Sequence, residues 1–293
     1  MDIGRYGVWT FSDDLGPAEA TDFVRRIEAL GYGAMWIPEA LGLDPFVRAA
    51  YLLERCERLV LATGIANIYA RDPMATKAAQ HTLCVHFDGR FLLGLGVSHA
   101  PFVEDVRGHT YRKPIETMRT YLDAMQNATY AGPEPPEEPP IVLGALRPRM
   151  LTLAAEQTRG AHPYLTTAEH TRRARELMGD EAWLCPEVKV LLERDPEKAR
   201  RLGREACSVN LSLPNYQKTL LWLGYSEADL EGGGSDRLID DLVAWGDEAA
   251  LQARLEAHLD AGASHVCVHT VNPDGSRAPH LPVLEALAPA HRG

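Results

Sequence analysis

Cysteine is scarce in this chain and carries no pattern: Cys56, Cys84, Cys185, Cys207 and Cys267 are the only five in 293 residues. Their odd number, wide spacing and lack of any CxxC exclude a disulfide framework and a zinc knuckle, and buried free thiols are expected. Nowhere do 18 or more apolar residues run together, and Met1-Asp2-Ile3-Gly4-Arg5 lacks the basic-then-apolar order of a signal peptide. A cytoplasmic protein with no membrane partner is therefore expected. Basic residues are outnumbered as well, 30 against 41 acidic, for a net charge of −11. With no local basic stripe to offset that balance, nucleic acid is excluded as a partner. Apolar residues are plentiful, 45% of the chain, which is enough to bury a large core.

Short runs rich in β-branched and aromatic residues alternate with longer segments of helical period, the pattern of repeated βα units around a parallel sheet. Eight such runs are placed, at residues 7–11, 34–38, 59–66, 91–97, 141–143, 160–165, 188–192 and 265–270. Helix starts are marked by Gly16-Pro17, Asp44-Pro45, Asp72-Pro73 and Asp195-Pro196, since proline is tolerated at the first helical position. Eight strands with helical crossovers predict a single α/β domain over residues 1–293, a (β/α)₈ TIM barrel. Residues 132–140, Gly-Pro-Glu-Pro-Pro-Glu-Glu-Pro-Pro, read as an extended connector. Residues 208–236, with Gly232-Gly233-Gly234, read as an insertion late in the chain, placed to form a lid or a subunit contact.

A barrel of this kind carries its site at the C-terminal ends of the strands. The residues there are Trp9, Thr10 and Phe11, then Glu39, Gly64 to Asn67, Ser98 and His99, Gly144 and Ala145, His162 and Tyr164, Glu193, and His269 with Thr270. Carboxylates are few among them, which disfavours a glycosidase with its two converging acids. His265, Cys267 and His269 alternate onto one strand face, but i, i+2 steps of about 6 to 7 Å are too stretched for one tetrahedral ion. Core packing plus one functional histidine is the better reading, and no metal is expected. Gly94-Leu95-Gly96-Val97-Ser98-His99 lacks the third glycine of a dinucleotide fingerprint; it reads as a buried strand whose glycines admit a flat ring, or as a tight turn with a surface histidine. Gly64, inside the third strand, marks a bulge or close ligand approach, although a plain strand and turn also fits. Residues 144–148 and 160–169 each lead into a helix, Thr167 serving as a cap; the two helix starts together suit a phosphate, or cap their helices without one.

These segments together resemble the bacterial luciferase-like flavin and deazaflavin oxidoreductases. The likeness is carried by Leu30-Gly31-Tyr32-Gly33-Ala34-Met35-Trp36-Ile37-Pro38-Glu39, by Leu61-Ala62-Thr63-Gly64-Ile65 with Asn67, Tyr69, Arg71 and Pro73, by residues 90–99 and by Asp260-Ala261-Gly262-Ala263-Ser264-His265-Val266, and it covers nearly the whole chain. It is strongest to the branch described as using coenzyme F420. One departure is Arg159-Gly160, where the family often has Asp-Gly.

The resemblance implies a luciferase-like barrel with an insertion, a homodimer, and a non-proline cis peptide at Gly64-Ile65 behind the ring of the cofactor. Carried over by position, Glu39, Gly64, Ile65, Ala66, Asn67, Ser98, His99, Gly144, Ala145, His162, Thr166 and Thr167 would contact the cofactor. The activity implied is F420-dependent hydride transfer between the deazaflavin C5 and a small organic substrate. One proton must then be managed, for which His99 is the first candidate, as an imidazole titrating near neutrality, and Glu39 the second. Trp9, Phe11 and Tyr69 would wall the substrate. The alternatives are a monooxygenase using reduced FMN and oxygen on the same barrel, and a flavin-binding barrel without turnover. Arg71, Arg147 or Arg149 near the acidic tail of F420 would separate the first of these from the F420 reading.

Overall fold

The computed structural model of the protein describes residues 1–291. Its strands are β1 (Tyr6–Trp9), β2 (Ala34–Ile37), β3 (Val60–Thr63), β4 (Ala66–Asn67), β5 (Phe91–Gly96), β6 (Ile141–Leu143), β7 (Gly160–Ala161), β8 (Trp183–Leu184), β9 (Glu187–Leu192), β10 (Val243–Gly246) and β11 (Val266–Thr270). Every strand pairing is parallel, in the order β10-β9-β11-β1-β2-β3-β5-β6-β7-β8, with β4 also on β5. Only Cys185 and Pro186 separate β8 from β9, and they close the ring. The Cys185 and Glu187 amides donate to Ala161 and Pro163 on one side, and the Pro186 carbonyl accepts from Cys267 on the other. All eight sequence-placed runs are thus barrel strands, and the seventh, placed at 188–192, extends back past Pro186 into β8.

Parallel strands covered on both faces should be apolar on both, and these largely are, the main exceptions being Glu187 and Lys189 on β9. Val8, Met35, Leu61, Leu93 and Val268 pack outward against the helices. Trp9, Trp36, Ala62, Leu92, Val142, Cys185 and Cys267 fill the interior of the barrel. Helices begin at Pro17, Pro45, Pro73 and Pro196 as predicted, and Asp44, Asp72 and Asp195 each cap theirs by accepting backbone N–H groups. All five cysteines are buried and free. No described helix is long and apolar enough to cross a membrane.

Beyond the eight runs, β10 lies along β9 on the side away from β11. Between the β9 and β10 strands come helices Pro196–Leu211, Pro214–Leu223, Glu227–Leu230 and Asp236–Leu242. They form a second apolar cluster around Cys207, Tyr216, Leu220 and Ile239, joined to the barrel through Leu165, Leu191 and Val271. The three consecutive glycines 232–234 all have positive φ, the turn that only glycine adopts without strain.

Candidate active site

A cleft of about 1420 Å³ opens at the C-terminal ends of the strands. Its floor is set by the break between β3 and β4, where the Gly64–Ile65 peptide bond is cis. Trp9 Nε1 donates to the Gly64 carbonyl at 2.9 Å, and the Glu39 amide donates to the Ile65 carbonyl at 3.2 Å. Around the Ile65 side chain the wall is glycine: a Cβ on Gly96 would stand 2.5 Å from Ile65 Cδ1, and one on Gly144 3.4 Å from its Cγ2. The Thr63 hydroxyl donates to the Gly94 carbonyl at 2.8 Å and accepts from the Gly94 amide at 2.9 Å, which pins β3 to β5 just before the break.

Of the residues expected to hold a cofactor, Glu39, Gly64, Ile65, Asn67, Ser98, His99, Gly144, Ala145 and His162 line this cleft, as do Trp9 and Phe11. Four others do not. Ala66 is buried in the core outside the barrel. Tyr69 packs between His109 and Tyr111, so its ring belongs to the neighbouring loop rather than to a substrate wall. Thr166 and Thr167 are buried behind the cleft. The Thr167 hydroxyl caps helix Ala168–Met178 by accepting from the His170 amide, and His170 Nε2 donates to the Leu146 carbonyl at 2.7 Å, tying the two helix starts together. Of these two helix starts, that of Pro148–Gln157 is the one that faces the open space, with Arg147 and Arg149 beside it. Arg159 lies over the Trp183 ring instead.

Glu39 is ion-paired. Arg71 Nη1 reaches both carboxylate oxygens at 2.9 Å, the Asn67 amide donates to Oε2 at 2.8 Å, and Arg107 stands 3.8 Å away. A carboxylate held by this many donors anchors the loop after β4. His99 lies 5.5 Å from the Tyr216 ring, and burial lowers its pKa from the usual imidazole value. His162 stacks on Trp36 with centroids 4.5 Å apart and donates from Nδ1 to the Cys185 carbonyl at 2.7 Å; its Nε2 is buried without a partner.

The sequence reading missed an ionised cluster in the barrel wall. Glu187 and Lys189, two apart on β9 and both fully buried, point inward, with Lys189 Nζ 2.9 Å from Glu187 Oε1 and 2.9 Å from the Tyr164 hydroxyl. The Leu165 amide donates to Glu187 Oε2 at 2.8 Å, and His269 Nδ1 lies 2.6 Å from Oε1. Burial alone would raise the Glu187 pKa, but Lys189 and His269 overcome it and hold the group at about 2. The signal available was the Glu-x-Lys alternation inside an otherwise apolar strand. The three residues that alternate along β11 are separately engaged: His265 accepts from Trp36 and donates to the Gly4 carbonyl, Cys267 lies beside His162, and His269 meets Glu187.

Acid stability follows from these groups. Burial first of all holds His162, His170, His265 and His269 at about 4. An imidazole whose pKa is lower folded than unfolded takes up its proton mainly on unfolding, so stability is intact above about pH 6.5 and falls as pH drops toward 4. Glu187, depressed from 4.5 to about 2, extends the loss below that range. Chemical-denaturation midpoints should decline steadily between pH 7 and pH 5; a flat profile would show these imidazoles to be hydrated.

The description "Luciferase-like monooxygenase" belongs to a family model that matches residues 5–265. A Mycobacterium tuberculosis protein named "Putative coenzyme F420-dependent oxidoreductase Rv3520c" is 30% identical over 170 residues, 48% of this chain and 49% of that one. The chain therefore spans about half the length of that relative. The structure described as "F420-dependent secondary alcohol dehydrogenase in complex with an F420-acetone adduct" superposes with a TM-score of 0.75 at 15% identity, over 97% of this chain and 96% of the other. The FMN-bound oxygenating constituent of 3,6-diketocamphane monooxygenase, from a Pseudomonas putida plasmid, does so with a TM-score of 0.70 at 15% identity, again over 97% and 96%. At those identities the structural likeness concerns the fold.

Proposed function

The chain belongs to the luciferase-like monooxygenase family, and from that premise we propose that it is an oxidoreductase using the deazaflavin coenzyme F420, moving a hydride between the coenzyme and a small organic substrate. The observation that carries this reading is the glycine-walled floor at Gly64–Ile65, where a Cβ on Gly96 would collide with Ile65 and Gly144 presents no side chain beside it. A planar tricycle needs such a surface, because one side chain standing on it would hold the ring away. The cleft volume exceeds the roughly 300 to 1,000 Å³ of an ordinary ligand pocket, as a coenzyme with a substrate requires.

When bound, the deazaflavin supplies hydride chemistry at C5; the protein supplies position, a dry site and one proton-exchanging group. Gly64, Ile65, Ser98 and Gly144 would hold the ring, with the start of helix Pro148–Gln157 receiving the phosphate. Arg147, Arg149 and Lys218 line the same cleft and suit the longer acidic tail that distinguishes F420 from FMN. Exposed Leu41, Val47 and Met74, on and beside the helix over Pro45–Leu53, support a homodimer as part of this reading.

Fluorescence titration of the purified protein with F420 and with FMN tests the assignment. F420 is expected to bind with a Kd in the micromolar range or tighter, and well ahead of FMN. Preference for FMN would favour the reduced-flavin monooxygenase, and retention of either ligand without any substrate-dependent redox change would leave a binding barrel.

A further inference from the structure

Most cations that line the cleft are spent or stand in solvent. Lys189 is bonded to Glu187 and Tyr164, Lys113 pairs with Glu116, and Arg147 donates to the Asn215 side chain. Arg149, Lys218 and Arg277 are exposed. Arg107 differs on both counts. It lines the cleft with a side chain only 29% exposed, and among the described residues its one polar partner is Glu39 Oε1, 3.8 Å from Nη2 and beyond hydrogen-bond reach. Glu39 does not need it, because Arg71 and the Asn67 amide already hold both carboxylate oxygens. On the loop of Arg107 itself, the Glu104 carboxylate accepts from the Tyr111 amide. A guanidinium drawn this far out of water without a hydrogen bond is costly, and its planar fork fits a bidentate anion.

The place of Arg107 in the fold narrows what that anion belongs to. It follows a π-helical turn, Phe102–Val106, in the loop after β5, and reaches back to the end of β2. Such turns are rare and recur at functional sites. In the barrel order β2-β3-β5-β6, the Gly64–Ile65 floor follows β3, and the phosphate seat at Gly144 and helix Pro148–Gln157 follows β6. Glu39, whose amide donates to the Ile65 carbonyl, lies on the β2 side of that floor. Arg107 therefore stands on the side away from the phosphate seat, Arg147 and Arg149. Phe102 and Val106 line the cleft from the same turn, and Val106 is 56% exposed, which leaves apolar surface open beside the cation.

We propose that Arg107 is a specificity-determining residue that binds the carboxylate of the substrate, an organic acid whose apolar body lies on Phe102 and Val106. The inference names a substrate class for the oxidoreductase reading and rests on it. One negative charge suits the spot better than two. Arg107 offers a single unspent positive charge with Glu39 only 3.8 Å away, so the charge of about −1.5 to −2 on a phosphate monoester would leave an excess beside a carboxylate already in place. Arg71 stays on Glu39 when the acid binds, so the loop after β4 keeps its anchor while Arg107 turns its fork to the ligand.

Calorimetric titration of the protein, with and without saturating F420, tests this with benzoate, phenylacetate and hexanoate, with the amide of each, and with phenyl phosphate. At least one acid should bind with a Kd of about 1 mM or tighter, at least about tenfold ahead of its amide and ahead of phenyl phosphate, and F420 should not compete with it. Arg107→Gln should weaken that acid by at least about tenfold, and Arg107→Lys by less, since an ammonium keeps the charge and loses the fork. The F420 Kd should stay within about threefold in both variants. Arg194→Gln, which removes an exposed arginine paired with Asp247, should leave acid binding unchanged. In ¹⁵N-labelled protein the Arg107 Nε–H resonance should shift as the acid binds, which a role confined to loop stability would not produce. The proposal is overturned if no acid outbinds its amide, if phenyl phosphate binds most tightly, if Arg107→Gln keeps parental acid affinity, or if the Arg107 resonance does not move. Displacement of the acid by F420, or a tenfold loss of F420 affinity in Arg107→Gln, also overturns it by assigning the guanidinium to the coenzyme. Failure of the unaltered protein to bind F420 is read separately, by fluorescence, and removes the coenzyme reading, while the coenzyme-free titration still reports on Arg107.

Discussion

Lys189→Met should cost the protein about 3 to 5 kcal/mol of unfolding free energy, the usual penalty for removing one partner of a buried ion pair. Glu187 has no exposed surface, and without the ammonium it keeps only the Leu165 amide and His269 Nδ1 to offset its charge. The size of the effect comes from stranding a carboxylate in a low-dielectric wall rather than from the attraction lost. A companion Glu187→Leu change in the same chain should recover much of the loss, because two apolar side chains of similar volume replace two desolvated charges. Denaturant midpoints at pH 7 for the single and double variants decide the matter. A single variant within about 1 kcal/mol of the parent would mean that water reaches the carboxylate.

Gly94→Ala should damage fold and cleft together. The new Cβ would lie 2.0 Å from the Thr63 carbonyl oxygen, a backbone atom with no rotamer to escape through. Relief requires β3 to part from β5 at the point where Thr63 and Gly94 exchange two hydrogen bonds. Overpacking of this kind costs about 1 to 3 kcal/mol and at times more. The displacement falls one residue before Gly64, so F420 affinity should drop by at least about tenfold, well beyond what a comparable loss of stability alone would cause. Folded Gly94→Ala protein with parental affinity would show that the floor does not depend on this contact.

Much of this arrangement was legible in the chain. Strand positions followed from apolar runs and helix starts from Asp-Pro pairs, so the strand-end rule gathered Trp9, Glu39, Gly64, His99, Gly144 and His162 into one cleft. Two strands were not legible. β8 hides behind Pro186, which masks its continuity with β9, and β10 follows helix Asp236–Leu242 with no turn residue between them. Thr166 and Thr167 sit at a helix start like Gly144 and Ala145, but a hydrogen bond between His170 and Leu146 seals that start from the cleft. Tyr69 follows a strand end, yet its loop turns the ring toward His109 and Tyr111.

Sequence by itself determined the barrel, its chain order and the free cysteines, because periodicity and turn chemistry act between residues near one another along the chain. Tertiary structure alone decided that Glu39 is spent on Arg71, and that Glu187, Lys189 and His269 share one buried cluster. Those outcomes depend on side chains far apart in the chain that meet only in the barrel, Glu39 after β2 with Arg71 after β4, and Glu187 on β9 with His269 on the neighbouring β11. Burial is what gives each charge its meaning: a Glu-x-Lys pair is ordinary in water, and becomes a tightly held ion pair only inside a wall that water does not enter.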